Sequence, residues 1–277
     1  MTVEGYQYRH ERTDASSQSS CSTHCDERIY TLADRAFSNL LAVVILILTA
    51  PFVLLACLAV KLTSRGPVLY TQLRLGHHGR PFKIFKIRTM HHNCEGATGP
   101  RWSTPGDPRI TWVGGVLRVT HLDELPQLWN VLRGEMTLVG PRPERPEIVD
   151  QLEHIVPRYS ERTGAIPGLT GLAQIQLPPD IDFECVRRKL TCDLYYMRRR
   201  TRWLDFRILV ATATGVVGIP FHWPKRLLGI PSLEQIERGE MTAEARIEPP
   251  GSDGVNGDVE DVLPASVGVS TPHSQLA

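Results

Sequence analysis

The sequence predicts a mixed α/β fold, mostly helical, built as a small membrane-associated domain behind one long apolar helix. Three observations carry this. Leu40 to Val60 runs for 21 residues without a charge. Two short β-rich runs, "PVLYTQ" (67–72) and "PFKIFKIRT" (81–89), flank the glycine-containing turn "LGHHGR". Beyond residue 110, apolar residues recur mainly at helical spacing.

Taken in order, residues 1–28 are polar and Ser-rich, without apolar periodicity, and read as a disordered tail rather than a signal peptide. The apolar run comes next, within 29–62. At ~1.5 Å per residue it would measure about 31 Å, enough to span a bilayer. Pro51 sits near its middle, where a missing N–H and a ring clash predict a kink. Hydropathy leaves three topologies open: a kinked span, a helix–break–helix that enters and leaves by one face, and a buried core helix. Positive charge on both flanks, Arg28 and Arg35 before and Lys61 and Arg65 after, favours keeping both ends on the cytoplasmic side.

After the strand pair comes a loop, 91–108, rich in Gly, Pro and Asn. His77, His78, His91, His92 and Cys94 read as loop residues near a basic surface rather than metal ligands. Next, Thr120 and Asp123 match a capping box, and Leu125, Leu128, Trp129 and Leu132 recur on one helical face before Gly134. This places Asp123 and Glu124 in a first helical turn, which stabilises negative charge and also favours bound phosphate. "TLVGPRPERPE" reads as a strand and a proline-stiffened loop, 148–162 as an amphipathic helix, and "IPGLTGLAQIQ" as a loop and strand. Phe183–Arg200 and Trp203–Gly218 read as helices, the second packed on the domain or lying at an interface. Little fixed structure is expected beyond Pro231, and 232–277 reads as a disordered acidic tail.

The chain has 277 residues, 42% hydrophobic and 22% charged, with a formal net charge of +1. That neutrality hides a strong asymmetry. Lys61–Arg118 holds ten Lys/Arg against two acids, whereas Ser232–Ala277 holds nine acids against two arginines. A basic middle calls for an anionic partner such as phosphate, nucleic acid or a lipid surface. The six cysteines are too sparse for a disulfide scaffold and are read as reduced and cytoplasmic. "CSTHC" at 21–25 lacks a second pair at metal-finger spacing.

Paired acids beside a basic surface fit three schemes: a Mg²⁺ site, a nucleophile on phosphorus, or a helix cap. Arg109, Arg118, Arg142 and Arg145 lie close in sequence, and guanidinium clusters bind phosphate. There is no Walker loop, no G-x-G-x-x-G and no Ser or Cys elbow.

The string "GDPRITWVGGVLRVTHLDELPQLWNVLRGEMTLVGPRPERPE" resembles the signature of the bacterial sugar transferases, the monotopic phosphoglycosyl transferases. "GPVLYTQLRLGHHGRPFKIFKIRTM" and "PGLTGLAQIQ…CDLYYM" match that family in the same order, so the resemblance covers about residues 30–215. It implies transfer of a sugar 1-phosphate from a UDP-sugar to polyprenyl (undecaprenyl) phosphate, with release of UMP, as the first step of a surface glycan such as exopolysaccharide, capsule, O-antigen or a glycoprotein glycan. It implies that Asp123 attacks the sugar-bearing phosphorus to form a covalent intermediate, and that Glu124 helps to hold Mg²⁺. Arg142 and Arg118 would bind phosphate charge, while Lys83, Lys86, Arg88 and Asp193 match further motif positions. The resemblance also implies a re-entrant helix broken at Pro51, a catalytic domain over 63–220 on the cytoplasmic face of the bacterial inner membrane, and downstream glycosyltransferases as candidate partners.

The chain departs from the family's pattern at Asp34 and Ser38, where Lys-Arg-x-x-Asp is usual, and at His121, Ile166 and Leu172. An inactive membrane-anchored interaction protein of the same fold is the alternative, against which the intact dyad and Gly-Pro-Arg-Pro argue. Nucleic-acid binding is disfavoured by the apolar segment and by the lack of an aromatic stacking platform.

Overall fold

The computed structural model describes residues 30–94, 106–177 and 183–247, so the tail readings for 1–28 and 248–277 lie outside them. Helix α1 spans Leu32–Thr63. Its start is a full capping box: the Thr31 hydroxyl accepts from the Asp34 N–H (3.2 Å), and the Asp34 carboxylate accepts from the Thr31 N–H (3.0 Å). Pro51 has no N–H to offer the Ile47 carbonyl, yet helical backbone continues through it from Leu32 to Thr63. The helix is therefore not divided into two at Pro51, where the resemblance implied a break. Packing on both sides of the proline explains why. Ala42, Leu46, Thr49, Val53, Ala56 and Val60, spaced by four and three, form one buried or half-buried stripe that straddles it. The opposite face is bare, with Ile47 at 67% and Leu54 at 70% exposure, which excludes a buried core helix.

Both ends of α1 are fastened to the same body. At its start, Asp34 pairs with Arg202 (2.6 Å) and Arg200 (3.5 Å), and the Ser38 and Thr137 hydroxyls meet at 3.2 Å. Asp34 and Ser38 thus both anchor the helix. At its end, Arg88 donates to the Ser64 and Arg65 carbonyls (2.9 and 2.6 Å).

Strands β1 (Leu69–Leu75) and β2 (Pro81–Ile87) form the expected antiparallel hairpin, from Leu69 opposite Ile87 to Leu75 opposite Pro81. Helix α2 (Trp112–Val119) is capped by the Thr111 hydroxyl on the Gly114 N–H (3.0 Å). A 3₁₀ segment, Leu122–Gln127, then leads into α3 (Leu128–Leu132). Strand β3 (Thr137–Val139) is followed by α4 (Pro146–Glu153), a 3₁₀ segment at Tyr159–Gly164 and β4 (Gly168–Thr170), which pairs with β3 in parallel. After β4 the chain forms a short helix, α5 (Leu172–Gln176), where a strand was expected. Helices α6 (Phe183–Arg199), α7 (Arg202–Val216), α8 (His222–Leu227) and α9 (Leu233–Ile247) complete the described chain.

Helix α9 corrects the expectation of little structure beyond Pro231. Ile236 is fully buried, and Glu240 is buried against Arg198. Ile236 and the half-buried Leu233 are too few apolar anchors in an acidic stretch to leave a clear periodic signal, so tertiary contact reveals this helix. The main core gathers Leu128, Tyr159, Leu172, Tyr196 and Ile208 from five elements. A smaller cluster seats Ala56 and Val60 of α1 on Ile87, Val113 and Leu117.

Candidate active site

Asp123 and Glu124 lie in the 3₁₀ segment, not in the first turn of a capped α-helix. Thr120 closes α2 instead of opening the next helix, its hydroxyl donating to the Val116 carbonyl (3.0 Å). His121 turns the chain in the left-handed region (φ 55°) and makes no side-chain cap. Pro126, inside the segment, has no N–H to donate, so α-helical spacing begins only at Leu128. Trp129, expected on the apolar face, is 54% exposed, whereas Leu128 is fully buried.

Glu124 is held from two sides. Lys86 Nζ donates to its Oε1 at 2.8 Å, while Arg142 reaches Oε1 with Nη2 (2.5 Å) and Oε2 with Nη1 (3.2 Å). Burial alone would raise the Glu124 pKa, but Arg142 and Lys86 hold it well below the usual carboxylate range. Asp123 differs. It is buried at 7% exposure, and no hydrogen-bond donor among the described residues reaches its carboxylate. Burial and the adjacent Glu124 push its pKa up to about 6, against the pull of Lys86, Arg118 and Arg142. One carboxylate is saturated by cations, and its neighbour keeps its lone pairs.

Each cation is placed by a separate element. Lys86 sits on the face of β2 that also buries Phe82 and Ile84, and Asn130 ties that strand to α3 by donating to the Lys83 carbonyl (2.7 Å). Arg118, at the end of α2, donates through Nε to the Thr89 hydroxyl (2.9 Å). Arg142 follows β3, which runs so close to β4 that a Cβ on Gly168 would lie 2.1 Å from the Gly140 nitrogen. Glycine is required there.

The structure thus brings together Asp123, Glu124, Lys86, Arg118 and Arg142. The other candidates go elsewhere. Lys83 is exposed and points to the opposite face of β2 from Lys86, as strand alternation demands. Arg88 is spent on the end of α1. Arg109 pairs with Asp107 at 2.5 Å, and Arg145 with Glu147 at 3.5 Å. Asp193 is buried behind the Gly-Pro-Arg-Pro loop, 2.7 Å from Arg162.

That rear cluster is the feature sequence reasoning missed. Glu144 is buried among Lys189, Arg74 (3.4 Å) and Arg162 (3.7 Å), and these cations hold its pKa down to about 2 although burial would raise it. Its members are scattered from residue 74 to residue 193, so no local pattern announces them.

For a metal, two adjacent carboxylates suit Mg²⁺, which completes its shell with substrate phosphate and water. No larger group of His, Cys, Asp and Glu gathers among the described residues. Because both Glu124 oxygens already accept from cations, Asp123 offers the freer oxygen.

A family model described as "Bacterial sugar transferase" matches residues 29–218. The chain belongs to the bacterial sugar transferase family. It is 42% identical over 188 residues to a UDP-glucose:undecaprenyl-phosphate glucose-1-phosphate transferase of Caulobacter vibrioides, covering 67% of this chain and 70% of that one. It is 40% identical over 184 residues to a UDP-N-acetylgalactosamine-undecaprenyl-phosphate N-acetylgalactosaminephosphotransferase of Aeromonas hydrophila, covering 66% and 43%. With the exopolysaccharide production protein PSS of Rhizobium leguminosarum it shares 39% identity over 184 residues, covering 64% and 92%. The chain therefore spans less than half the length of the Aeromonas protein and nearly all of the Rhizobium one. The family match ends at Val217–Gly218, so α8 and α9 lie beyond it.

Proposed function

We propose that this sugar transferase moves a sugar 1-phosphate from a UDP-sugar to polyprenyl phosphate, releasing UMP. The observation that carries this reading is the buried Asp123 carboxylate, which no donor among the described residues reaches, beside a Glu124 pinned by Lys86 and Arg142. An ionised Asp123 oxygen attacks the sugar-bearing phosphorus. The bond from that phosphorus to the bridging oxygen breaks, and UMP leaves with the electron pair. An oxygen of polyprenyl phosphate then attacks the same phosphorus, and Asp123 departs as a carboxylate. Two half-reactions suit one reactant in water and one in lipid. Lys86, Arg118 and Arg142 face the phosphate charge that grows in each transition state. Asp123 and Glu124 are the residues that would hold Mg²⁺, which when bound would neutralise phosphate charge.

The bare apolar face of α1, with both ends of the helix fastened to one body, supports insertion into one leaflet of the bacterial inner membrane from the cytoplasmic side. The product would start a surface glycan and pass to downstream glycosyltransferases. The relatives' names make UDP-glucose and UDP-N-acetylgalactosamine the first donors to try. The test is UMP release from a panel of UDP-sugars by detergent-solubilised protein with Mg²⁺ and undecaprenyl phosphate. Lipid-dependent UMP from one donor is expected, together with a phosphosugar mass on the Asp123 peptide when the lipid is withheld. Folded protein that releases UMP from no donor would overturn the reading.

A further inference from the structure

We propose that Arg162 is a positioning residue for the transfer reaction, setting Arg142 against Glu124 from behind the loop without touching substrate. The inference rests on the function proposed above. In Pro141-Arg142-Pro143-Glu144 both prolines lack an N–H, so the loop has few donors with which to hold itself. Its four successive carbonyls are instead gripped from outside. The Pro141 carbonyl accepts from the Gly168 N–H (2.9 Å), Arg142 from Arg162 Nη2 (2.8 Å), Pro143 from Arg74 Nη1 (3.0 Å) and Glu144 from the Leu75 N–H (2.9 Å).

The two guanidinium groups in this set are themselves held by the loop. Glu144 turns its carboxylate back onto both Arg74 and Arg162, and Lys189 completes its charge. Arg162 is 4% exposed and is further fixed by Asp193 (2.7 Å) and by the Tyr159 hydroxyl, to which its Nη1 donates (2.7 Å). Of the four donors, Arg162 is the one on the carbonyl of Arg142 itself. Its loss lets the Arg142 backbone drift, and a misplacement of about 1 Å in a catalytic group can cost about 100-fold in rate.

Arg162→Lys keeps the charge but loses the planar fork needed to serve the carbonyl, the phenol and Asp193 together. The full-length protein is assayed with Mg²⁺, undecaprenyl phosphate and whichever of UDP-glucose or UDP-N-acetylgalactosamine the unmodified chain turns over. We expect kcat to fall about 10- to 100-fold. In an Arg142→Met background the same substitution should cost nothing further, because its effect passes through Arg142. Hydrogen exchange supplies a readout independent of turnover: amide exchange across 140–145 rises several-fold while that of 122–128 stays unchanged. Unchanged kcat, a full additional loss in the Arg142→Met background, or unchanged exchange across 140–145 would each overturn the proposal. If Arg162→Lys does not fold, Asp193→Asn, which leaves Arg162 in place but removes its anchor, is read by the same three measures. Should the unmodified chain release no UMP from any donor of the panel, the transferase reading fails, and the exchange result alone decides whether Arg162 sets the loop.

Discussion

On the front of the Gly140–Glu144 loop, Asp123 is buried with no donor among the described residues on its carboxylate, two residues after His121 in the left-handed region. On the back, Glu144 is buried to a similar depth, but three cations surround it and its pKa falls to about 2 instead of rising to about 6. The two clusters use the same kinds of side chain. They differ in completeness. A satisfied carboxylate is stable and inert because its lone pairs are committed, whereas a carboxylate that is to attack phosphorus must keep a lone pair free and bear the cost of burial. The loop between them lets the complete cluster steady the incomplete one.

Asp123→Asn should break the contrast most sharply. Turnover should fall by about three orders of magnitude or more, as when other enzymes lose a nucleophile. Stability should move the other way. The folded pKa of Asp123 lies above its ordinary value, so its ionised form is disfavoured in the fold once the pH exceeds about 6. Removing that charge at pH 7.5 should raise stability by about 1–3 kcal/mol. Thermal melts beside UMP assays would check both; a variant less stable than the parent would show that Asp123 is not strained by burial. The same pKa, that of the substrate-free protein, predicts that kcat/KM for the unmodified chain declines as pH falls through about 6, where the attacking oxygen takes up a proton.

Glu144→Gln tests the other side. Removing one partner from a buried ionic cluster typically costs about 3–5 kcal/mol. The Glu144 pKa is depressed in the fold, so its stabilisation is present above its ordinary value of 4.5 and fades as pH falls through about 2. Denaturation midpoints of parent and variant should therefore converge between about pH 5 and pH 2. Parallel curves would show that Glu144 contributes packing rather than charge.

The smallest effect concerns the strained residue before the dyad. His121→Gly should gain about 0.5–1 kcal/mol, since glycine adopts a φ of 55° without a Cβ penalty. A loss in a thermal melt would mean that the exposed imidazole makes a contact worth more than the strain.

Much of this was legible in the sequence where the signal was local. The hairpin, the strand before Gly140, α6, α7 and the long apolar helix follow from alternation, periodicity and charge-free length. The dyad and Arg142 follow from the motif string. The misses share a cause. Thr120 and Asp123 match a capping box, yet the hydroxyl serves the helix it ends, a choice made by α2 packing ahead of it. Arg88 and Arg109 look like phosphate ligands until the end of α1 and Asp107 claim them. Lys83 and Lys86 read as equivalent until the pleat sends them apart. Glu144, Arg162 and Lys189 carry no local mark at all, because their meaning lies in contacts across 18 to 70 positions.

The two-ended fastening of α1 fixes where attachments can go. Asp34 is paired with Arg202, and Ser64 and Arg65 are held by Arg88, so both ends of the apolar rod stay on the body that bears the dyad. A reporter fused immediately ahead of Tyr30 would emerge beside the domain that bears the dyad. With the rod inserted in one leaflet as proposed, a protease or thiol label confined to the far side of the bilayer would find neither end.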